Sequence, residues 1–271
     1  MVKLSVIIPV YNASAYIERC LLSVQQQTLT GLEVIIVDDH GQDDSLAVAQ
    51  AFAANSPRKD IRYVFTQTPV NSGPSAARNI GVRSAQGEYV AFLDADDWVE
   101  PGMYAALYSC AQEQQADLSC CNAWQDFEDG NQSRVLRNPQ LANGAFTVQS
   151  KKRFLTAYVA YFWTFIYRRE WLLAWQLQFA DAKSAEDSSF LACCVLAADR
   201  IAQTAQPYYH YVLHPSSLTR RKVWKGADKR KAFAEMFAFA RRNGLLRTYW
   251  PQLAYVYLKK ALLVPVIEML Q

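Results

Sequence analysis

Hydrophobic positions in the first hundred residues alternate between two spacings. Continuous apolar runs, KLSVIIPVY at 3–11 and LEVIIVDD at 32–39, predict strands, whereas apolar residues every three or four positions in SAYIERCLLSVQQQ, 14–27, predict a helix. The alternation continues with helix-like segments at 44–54 and 72–85 and strand-like segments at 61–67 and 88–97. Near-continuous apolar strands between helices are typical of a parallel sheet buried on both faces. The pattern predicts a doubly wound α/β domain.

The pattern is less regular after Trp98. Helices are predicted at 104–116 and 184–198, strands at 117–127 and 208–214, a polar mobile loop at 128–144, an aromatic stretch at 154–179, and two or more helices at 229–270. The longest apolar run, 154–167, is shorter than the ~20 residues that a spanning helix needs. We therefore expect no transmembrane segment.

Polar clusters follow three of the predicted parallel strands. They are Tyr11-Asn12 after the first strand, Asp38-Asp39 after the second, and Asp94, Asp96 and Asp97 after the fourth. In open sheets of this kind, ligands bind outside the carboxyl ends of the strands. The three clusters therefore predict one binding site at that edge of the sheet.

The three carboxylates of AFLDADDW need a compensating partner, because like charges so close together repel. Mg²⁺ and Mn²⁺ take oxygen ligands and commonly bind one or two carboxylates together with substrate phosphates and water. Asp94 and Asp96 have one residue between them, which puts both on one side of an extended strand. The alternative is a solvated turn or the N-terminal cap of the next helix, where Asp is also favoured. The spacing alone leaves both interpretations open.

Four stretches extend this argument. SVIIPVYNASAYIERCLLSVQQQT, EVIIVDDHGQDDS, NSGPSAARNIGVRSAQGEYVAFLDADDW and AEDSSF, in this order and spacing, resemble the family-2 glycosyltransferases of GT-A fold. These enzymes move a sugar from a nucleotide diphosphate donor to an acceptor hydroxyl. The resemblance is close over 3–100, loose over 100–220 and absent beyond. It implies a Rossmann-like, mostly parallel GT-A sheet, here with a helical C-terminal extension.

The resemblance also implies how the nucleotide is held. Pro9, Tyr11 and Asp39 would hold the nucleoside base, with Asp39 accepting a hydrogen bond from a uracil N–H. Arg78, in AARN, would reach the base or the diphosphate. Where the family commonly has DGSTD, this chain has DHGQDD at 39–44, which leaves the conformation of that loop open.

The metal and the leaving diphosphate would be held by residues of AFLDADDW and HPSSLTRR. The resemblance implies that Asp94 binds the ribose and Asp96 the metal, Mn²⁺ or Mg²⁺, with Asp97 as an alternative ligand. His214 and Arg220, in HPSSLTRR, match the His or basic residue that relatives carry after the strand predicted here at 208–214. For His214 the alternative is an ordinary turn residue.

AEDSSF matches the short acidic pair that contains the family's general base. The resemblance assigns that role to Asp187, with Glu186 beside it and oriented toward the acceptor. A sugar hydroxyl is a poor nucleophile, so a carboxylate must remove its proton as it attacks the anomeric carbon. One base without a nucleophilic residue implies a single displacement with inversion. A helix start that favours acidic residues explains the same letters, and both readings can hold together.

Aromatic residues near these motifs are candidates for the sugar site. Trp98 adjoins the carboxylates, and Tyr161 and Trp163 lie in the aromatic stretch, so each could stack on a sugar ring. The alternative is core packing, because aromatic residues make up 13% of the chain and most of them must fill the interior. We expect Trp98 to line the site.

Charge is concentrated near the end of the chain. The net charge is only +3, but 220–260 contains twelve Lys and Arg residues and two acidic residues. In 228–250, Phe233, Met236, Phe237 and Ala240 share one helical face, which predicts either an amphipathic helix on an anionic membrane or a helix packed on the catalytic domain. No nucleic-acid-binding module is recognised. Six cysteines without metal-site spacing indicate reduced thiols and a cytoplasmic location, with the inner membrane face as the peripheral alternative.

Together these features predict an inverting enzyme that moves a sugar from a UDP-sugar, such as UDP-Gal, UDP-Glc or UDP-GlcNAc, to a glycan hydroxyl in surface-polysaccharide synthesis. We expect a nucleotide-sugar-binding half at 1–125, an acceptor and catalytic-base half at 126–220, and a basic helical region at 221–271. A nucleotidyltransferase would carry a glycine-rich basic loop after the first strand, and PVYNASAY has no glycine. A non-catalytic nucleotide-sugar-binding homologue would lack Asp187.

Overall fold

A ten-stranded sheet organises the computed structural model, which describes residues 1–128, 131–157, 160–214 and 226–260. The strands are β1 Leu4–Val10, β2 Leu32–Asp38, β3 Arg62–Gln67, β4 Tyr89–Phe92, β5 Trp98–Val99, β6 Leu118–Phe127, β7 Arg134–Leu136, β8 Gly144–Ala145, β9 Phe165–Arg168 and β10 Arg200–Leu213. The helices are α1 Ile17–Gln25, α2 Ser45–Asn55, α3 Pro74–Ser84, α4 Met103–Gln114, α5 Val148–Ala157, α6 Arg169–Ala174, α7 Glu186–Ala197, α8 Gly226–Arg242 and α9 Leu246–Leu258, with a 3₁₀ turn at Phe162–Thr164. The order across the sheet is β3-β2-β1-β4-β9-β6-β10-β5, with β7 on β6 and β8 on β10.

The first four strands form the parallel part that the hydrophobic pattern predicts. β1 pairs in parallel with both β2 and β4, and β2 pairs in parallel with β3. Nearly every residue of β1 and β2 is buried, because helices cover both faces of these strands. The predicted doubly wound α/β class is confirmed.

The fourth strand is shorter than the sequence predicts. β4 ends at Phe92, and the carboxylates that follow lie in a turn closed by a hydrogen bond from Asp97 N–H to Asp94 O at 3.0 Å. The chain leaves the sheet here, so the alternation expected for a strand through residue 97 does not apply. The turn, rather than a strand face, sets the directions of the three carboxylates.

A glycine allows α3 to lie close against the sheet. A Cβ on Gly81 would fall 2.3 Å from Cγ2 of Ile7, which is fully buried in β1. That distance is far shorter than any normal contact, so a side chain would force the helix and strand apart. Gly81 therefore determines the depth of α3, the helix that carries Arg78.

The second half of the sheet mixes directions. β9 is antiparallel to both β4 and β6, whereas β6 and β10 are parallel. The predicted domain boundary at residue 125 falls inside β6. The mobile loop predicted at 128–144 is wrong in part, because β7 pairs with β6 and Asn138 donates to Cys121 O at 2.6 Å.

The C-terminal helices pack on the rest of the protein. α8 lies against α7, and α9 lies against α5 and α8. Phe233, Met236 and Ala240, the apolar face that the sequence offered to a membrane, are fully buried. Of the two alternatives that the sequence left open for this face, packing on the rest of the protein is the one found, because α7 provides an apolar surface that covers these three residues. None of the helices in the described ranges is long and apolar enough to cross a membrane.

We expect Gly81→Ala to lower the free energy of unfolding by about 1–3 kcal/mol, because the added methyl meets Ile7, and this outweighs the gain in helix propensity. Ser84→Ala, at the last residue of the same helix, is the matched control and should change stability by less than about 0.5 kcal/mol. Urea denaturation of both variants measures the difference. Equal stability of the two variants would contradict the close approach.

Candidate active site

The site lies at the carboxyl ends of β1, β2 and β4. Val10 and Asp38 are register partners at the ends of β1 and β2, and β4 ends beside β1 with Phe92 opposite Ile7. The polar residues that follow these strands are therefore neighbours. The structure brings the three sequence clusters to one edge, as the sequence predicts.

Asp39 is a buried carboxylate that organises the loop before α3. Its Oδ1 accepts hydrogen bonds from Thr68 Oγ1 and Ser72 N, and its Oδ2 accepts one from Gly73 N, each at 2.8 Å. These bonds hold segment 68–73 against the end of β2. Sequence reasoning missed this role, since nothing near Asp39 in the chain indicates a partner about thirty residues away. The predicted contact to a nucleoside base stays a prediction.

The unusual loop at 39–44 has a defined conformation. His40 adopts a positive φ of 58°, and a Cβ on Gly41 would fall 2.8 Å from Asn12 N. Asn12 Oδ1 accepts a hydrogen bond from Gln42 N at 2.7 Å. Glycine is needed here because the loop packs directly on the chain that leaves β1.

Two residues predicted to contact the base lie beside this loop. Pro9 is partly buried within β1, and the Tyr11 side chain is about half exposed just beyond it. An exposed ring at the carboxyl edge of the sheet is free to meet a flat ligand. The structure thus leaves Tyr11 accessible, while Asp39 lies deeper.

Arg78 is a buried cation at the centre of the site. It donates from Nη2 to Asp94 Oδ1 at 2.6 Å, and its guanidinium carbon lies 4.7 Å from the ring centre of Phe162 and 5.3 Å from that of Phe179. Burial opposes the charge, yet the pKa of Arg78 is raised by the Asp94 carboxylate and by the more distant carboxylates of α7. Its Nε–H is buried and finds no acceptor in the described part of the chain. A buried donor without an acceptor is uncommon in folded proteins, and an oxygen of a bound anionic group is a partner that would satisfy it.

The acidic pair begins α7. Glu186 and Asp187 are half-buried in the first turn, directly after Ala185, which has a positive φ of 63°. Asp187 Oδ1 accepts hydrogen bonds from Ser188 N at 2.6 Å and from Ser188 Oγ at 3.0 Å. Burial, and then repulsion by Asp187, raise the pKa of Glu186 to about 7. The predicted helix start is confirmed. The position also suits a general base, since the positive φ of Ala185 fixes the direction of the first turn of α7.

Asp96 and His214 meet although they are 118 residues apart in the chain. His214 Nε2 lies 2.9 Å from Asp96 Oδ2, and the imidazole ring centre lies 4.6 Å from that of Tyr16. Arg19 donates to the backbone oxygen of Asp96 at 2.6 Å, which fixes the turn. Burial, together with the nearby Asp94, raises the pKa of Asp96.

Asp97 points into the protein. Its Oδ2 accepts a hydrogen bond from the Tyr209 hydroxyl at 2.6 Å and its Oδ1 accepts one from Val212 N at 2.8 Å. The same hydroxyl lies 3.3 Å from Asp94 N. Burial, and then the charges of Asp96 and Asp94, raise the pKa of Asp97 well above its usual value. Both oxygens are used inside the fold, so the geometry does not support the alternative of Asp97 as a metal ligand; the residue ties β10 to the turn.

The donor set near Asp96 is small. Within the described ranges no group of three or more His, Cys, Asp or Glu side chains is arranged to hold a metal ion. Asp96 and His214 supply one carboxylate and one imidazole, and a hard divalent cation commonly completes such a set with substrate phosphates and water. The residues present therefore fit a cation that binds together with a diphosphate.

The aromatic candidates separate into two kinds. Trp98 is partly exposed and stacks on His210 with ring centres 3.5 Å apart. It directly follows the turn at 94–97, called the carboxylate turn below. Trp163 is only 7% exposed and stacks on Tyr209 at 4.2 Å, so its predicted role as a sugar platform is wrong: the core occupies it. Tyr161 is half-buried beside Trp163. Arg220 lies outside the described residues.

The doubly wound sheet, the turn at 94–97 and the acidic start of α7 agree with the GT-A fold that the resemblance implies. The structure of S. aureus TarS 1–349 in complex with UDP-GlcNAc matches it with a TM-score of 0.74 at 23% identity, covering 92% of this chain and 73% of that one. This likeness shows the fold.

The sequence comparisons give the family. The model of glycosyl transferase family 2 matches residues 5–174, so the chain belongs to that family and is a glycosyltransferase by membership. The chain is 32% identical over 252 residues to the uncharacterized glycosyltransferase EpsJ of Bacillus subtilis, covering 89% of this chain and 70% of EpsJ. It is 34% identical over 223 residues to the uncharacterized glycosyltransferase YibD of Escherichia coli, covering 80% of this chain and 63% of YibD.

We expect Tyr209→Phe to lower the free energy of unfolding by about 1–3 kcal/mol, because the buried Asp97 carboxyl loses one of its two hydrogen-bond partners. The matched control is Tyr104→Phe. That hydroxyl is equally buried and has no hydrogen-bond partner in the described part of the chain, so its loss should cost little. Urea denaturation of the two variants compares them directly. Similar losses would contradict a specific tie through Asp97.

We expect the contribution of Glu186 to the free energy of unfolding to fall as the pH rises from about 4.5 to about 7. The folded state holds the proton of this carboxyl more tightly than the unfolded state, so the folded state is favoured below that window and the advantage is lost through it. Glu186→Gln should therefore become progressively more stable than the parent across this window. Denaturation at a series of pH values measures this. A constant difference from pH 4 to pH 8 would contradict the raised pKa.

Proposed function

We propose that this protein is an inverting glycosyltransferase that moves a sugar from a UDP-sugar to a hydroxyl of a glycan acceptor. The observation that carries the proposal is the position of Arg78. This buried cation is paired with Asp94 on the carboxylate turn and lies within electrostatic range of Glu186 and Asp187 on α7. A donor diphosphate bound near Asp94 and an acceptor hydroxyl bound near Asp187 would meet beside Arg78.

The nucleoside would lie at the end of β1 and β2. Tyr11 presents an accessible ring for the base, and Asp39 can accept one more hydrogen bond in addition to those from its own loop. A carboxylate that accepts from a ring N–H favours uracil over a base that presents only an acceptor there. The UDP-GlcNAc in the similar TarS structure supports this donor class.

Asp96 and His214 would hold a divalent cation, Mn²⁺ or Mg²⁺, together with the diphosphate of the donor. Such a cation, when bound, neutralises charge on the leaving diphosphate. Asp94 would accept from the ribose hydroxyls while it keeps Arg78 in place. The unpartnered Nε–H of Arg78 would donate to a phosphate oxygen, because no other acceptor is near it in the described residues.

Asp187 would act as the general base. Two hydrogen bonds from Ser188 to Oδ1 fix the carboxylate and leave Oδ2 for the acceptor hydroxyl. The acceptor oxygen forms a bond to the anomeric carbon as its proton passes to Asp187. The bond between that carbon and the phosphate oxygen breaks, and UDP leaves with the electron pair. Attack opposite the leaving group inverts the configuration.

Glu186 would support this step by keeping part of its protonated form. With a pKa of about 7, raised by burial and by its neighbour, it adds less negative charge beside Asp187 near neutral pH than an ordinary carboxylate would. A protonated carboxyl can also donate a hydrogen bond to the acceptor sugar. The acceptor that we propose is a glycan of bacterial surface-polysaccharide synthesis, which agrees with the bacterial origin of the similar glycosyltransferases EpsJ and YibD.

The proposal predicts opposite behaviour of two variants. Asp187→Asn should keep the affinity for UDP with Mn²⁺ and lose sugar transfer by roughly a thousandfold, because only the proton acceptor is removed. Asp96→Ala should lose the metal-dependent part of UDP binding. Calorimetry with UDP, with and without Mn²⁺, measures binding, and UDP release from a panel of UDP-sugars with glycan acceptors measures turnover.

Asp181→Asn is the matched control, since this carboxylate lies shortly before α7 and its side chain is 92% exposed. It should change neither measurement. Transfer by Asp187→Asn at the parent rate would overturn the assignment of the base. Undiminished metal-dependent affinity in Asp96→Ala would overturn the assignment of the metal ligand. Nucleotide release without sugar transfer from any donor would overturn the proposed function.

A further inference from the structure

The outward face of α9 is unusually apolar. Trp250 is 54% exposed, Tyr255 39% and Leu258 47%, and Pro251 lies among them at helical spacing. The opposite face of the helix, with Tyr249, Leu253 and Val256, is buried. Isolated exposed apolar residues are ordinary, but three large ones on a single short helix form a patch. The patch is therefore a surface on which an apolar partner can bind.

Arginines border this patch. Arg241, Gly244, Leu246, Arg247 and Trp250 line a surface groove at the junction of α8 and α9. Arg242 is exposed next to it. α9 contains no acidic residue, and neither Arg241 nor Arg247 forms an ion pair within the described residues. The partner is therefore expected to be anionic as well as apolar.

Trp250 has a defined position in this surface. Its ring centre lies 5.5 Å from that of Phe237, which fixes the indole against α8 while about half of it remains exposed. A tryptophan beside arginines matches the chemistry of a bilayer interface, where the ring lies at headgroup level and the guanidinium groups meet phosphates. We infer that the face made by Arg241, Arg247, Trp250, Tyr255 and Leu258 binds the surface of an anionic lipid membrane.

A second copy of the chain fits this face less well. A symmetric pair uses the same patch on both subunits, so Arg241, Arg242 and Arg247 of the two copies would be brought together without acidic partners. A membrane with anionic headgroups instead supplies charge opposite to these arginines along the whole patch. The same arrangement needs no pocket, which agrees with the open form of the groove.

The location of the face gives it a use. α7, which begins with Asp187, packs on α8, and α8 packs on α9, so the membrane face lies two helix layers from the acidic pair. Attachment through α9 would hold the acceptor side of the site near glycans carried on lipids. This consequence rests on the proposed function, whereas the binding itself does not.

Co-sedimentation of the full chain with vesicles tests the inference. We expect binding to mixed phosphatidylcholine–phosphatidylglycerol vesicles and little binding to phosphatidylcholine alone. Arg241→Ala/Arg247→Ala should lower the partition coefficient roughly thirtyfold, at about fivefold for each charge near the surface. Trp250→Ser should lower it roughly tenfold, because the indole no longer enters the interface. The change Lys59→Ala/Arg83→Ala removes two exposed charges elsewhere and should leave binding intact.

Several outcomes would overturn the inference. They are no sedimentation of the full chain with anionic vesicles, equal loss in the Lys59→Ala/Arg83→Ala control, competition by inorganic phosphate beyond its ionic-strength effect, and a dimer in sedimentation equilibrium that Trp250→Ser dissociates. Tighter binding to single-stranded RNA than to the vesicles would assign the face to nucleic acid instead. Turnover of a UDP-sugar with a water-soluble acceptor should be unchanged in Trp250→Ser, so failure of the membrane proposal and failure of the proposed function are separately visible.

Discussion

The geometry of the site depends on a buried carboxyl, Asp97, that is hydrogen-bonded on both oxygens. Its partners, the Tyr209 hydroxyl and Val212 N–H, belong to β10, the strand that ends just before His214. A buried polar group of this kind is costly when a partner is missing, so the turn and the strand hold each other in one arrangement. The contact between Asp96 and His214 follows from this arrangement. Asp97, which the sequence offered as an alternative metal ligand, thus positions Asp96 and His214.

Much of the fold could be predicted from the sequence because its information is local. The apolar run of β1 and the helical spacing of α1 are properties of neighbouring residues, and both elements form close to the predicted bounds. The clustering of Tyr11, Asp39 and the carboxylate turn at one edge also followed from parallel strand order alone. Strand ends were less certain: β4 stops at Phe92 because the chain turns through a hydrogen bond that no period of hydrophobicity encodes.

The rest depends on contacts between distant residues. The insertion of β9 between β4 and β6 determines where Trp163 lies, and an apolar aromatic stretch gives no sign of which rings the core will enclose. The burial of α8 on α7 is of the same kind, since a helical face that could enter a membrane is equally able to cover another helix. Resemblance to a family gave candidate roles for Asp96 and His214, but only the folded chain gives the separation of 2.9 Å between them.

Asp39 illustrates how one side chain can restrict the evolution of a site. Its carboxylate holds Thr68, Ser72 and Gly73 in place, whatever ligand is present. A substitution that altered the preference for a base at this position would also release the loop that leads into α3 and Arg78. Selection for a different nucleotide is therefore obstructed at Asp39 and is less restricted at exposed Tyr11, which carries no such structural duty. Among proteins that share this arrangement, changes in donor preference should therefore accumulate at exposed positions such as Tyr11, while the buried position of Asp39 stays the same.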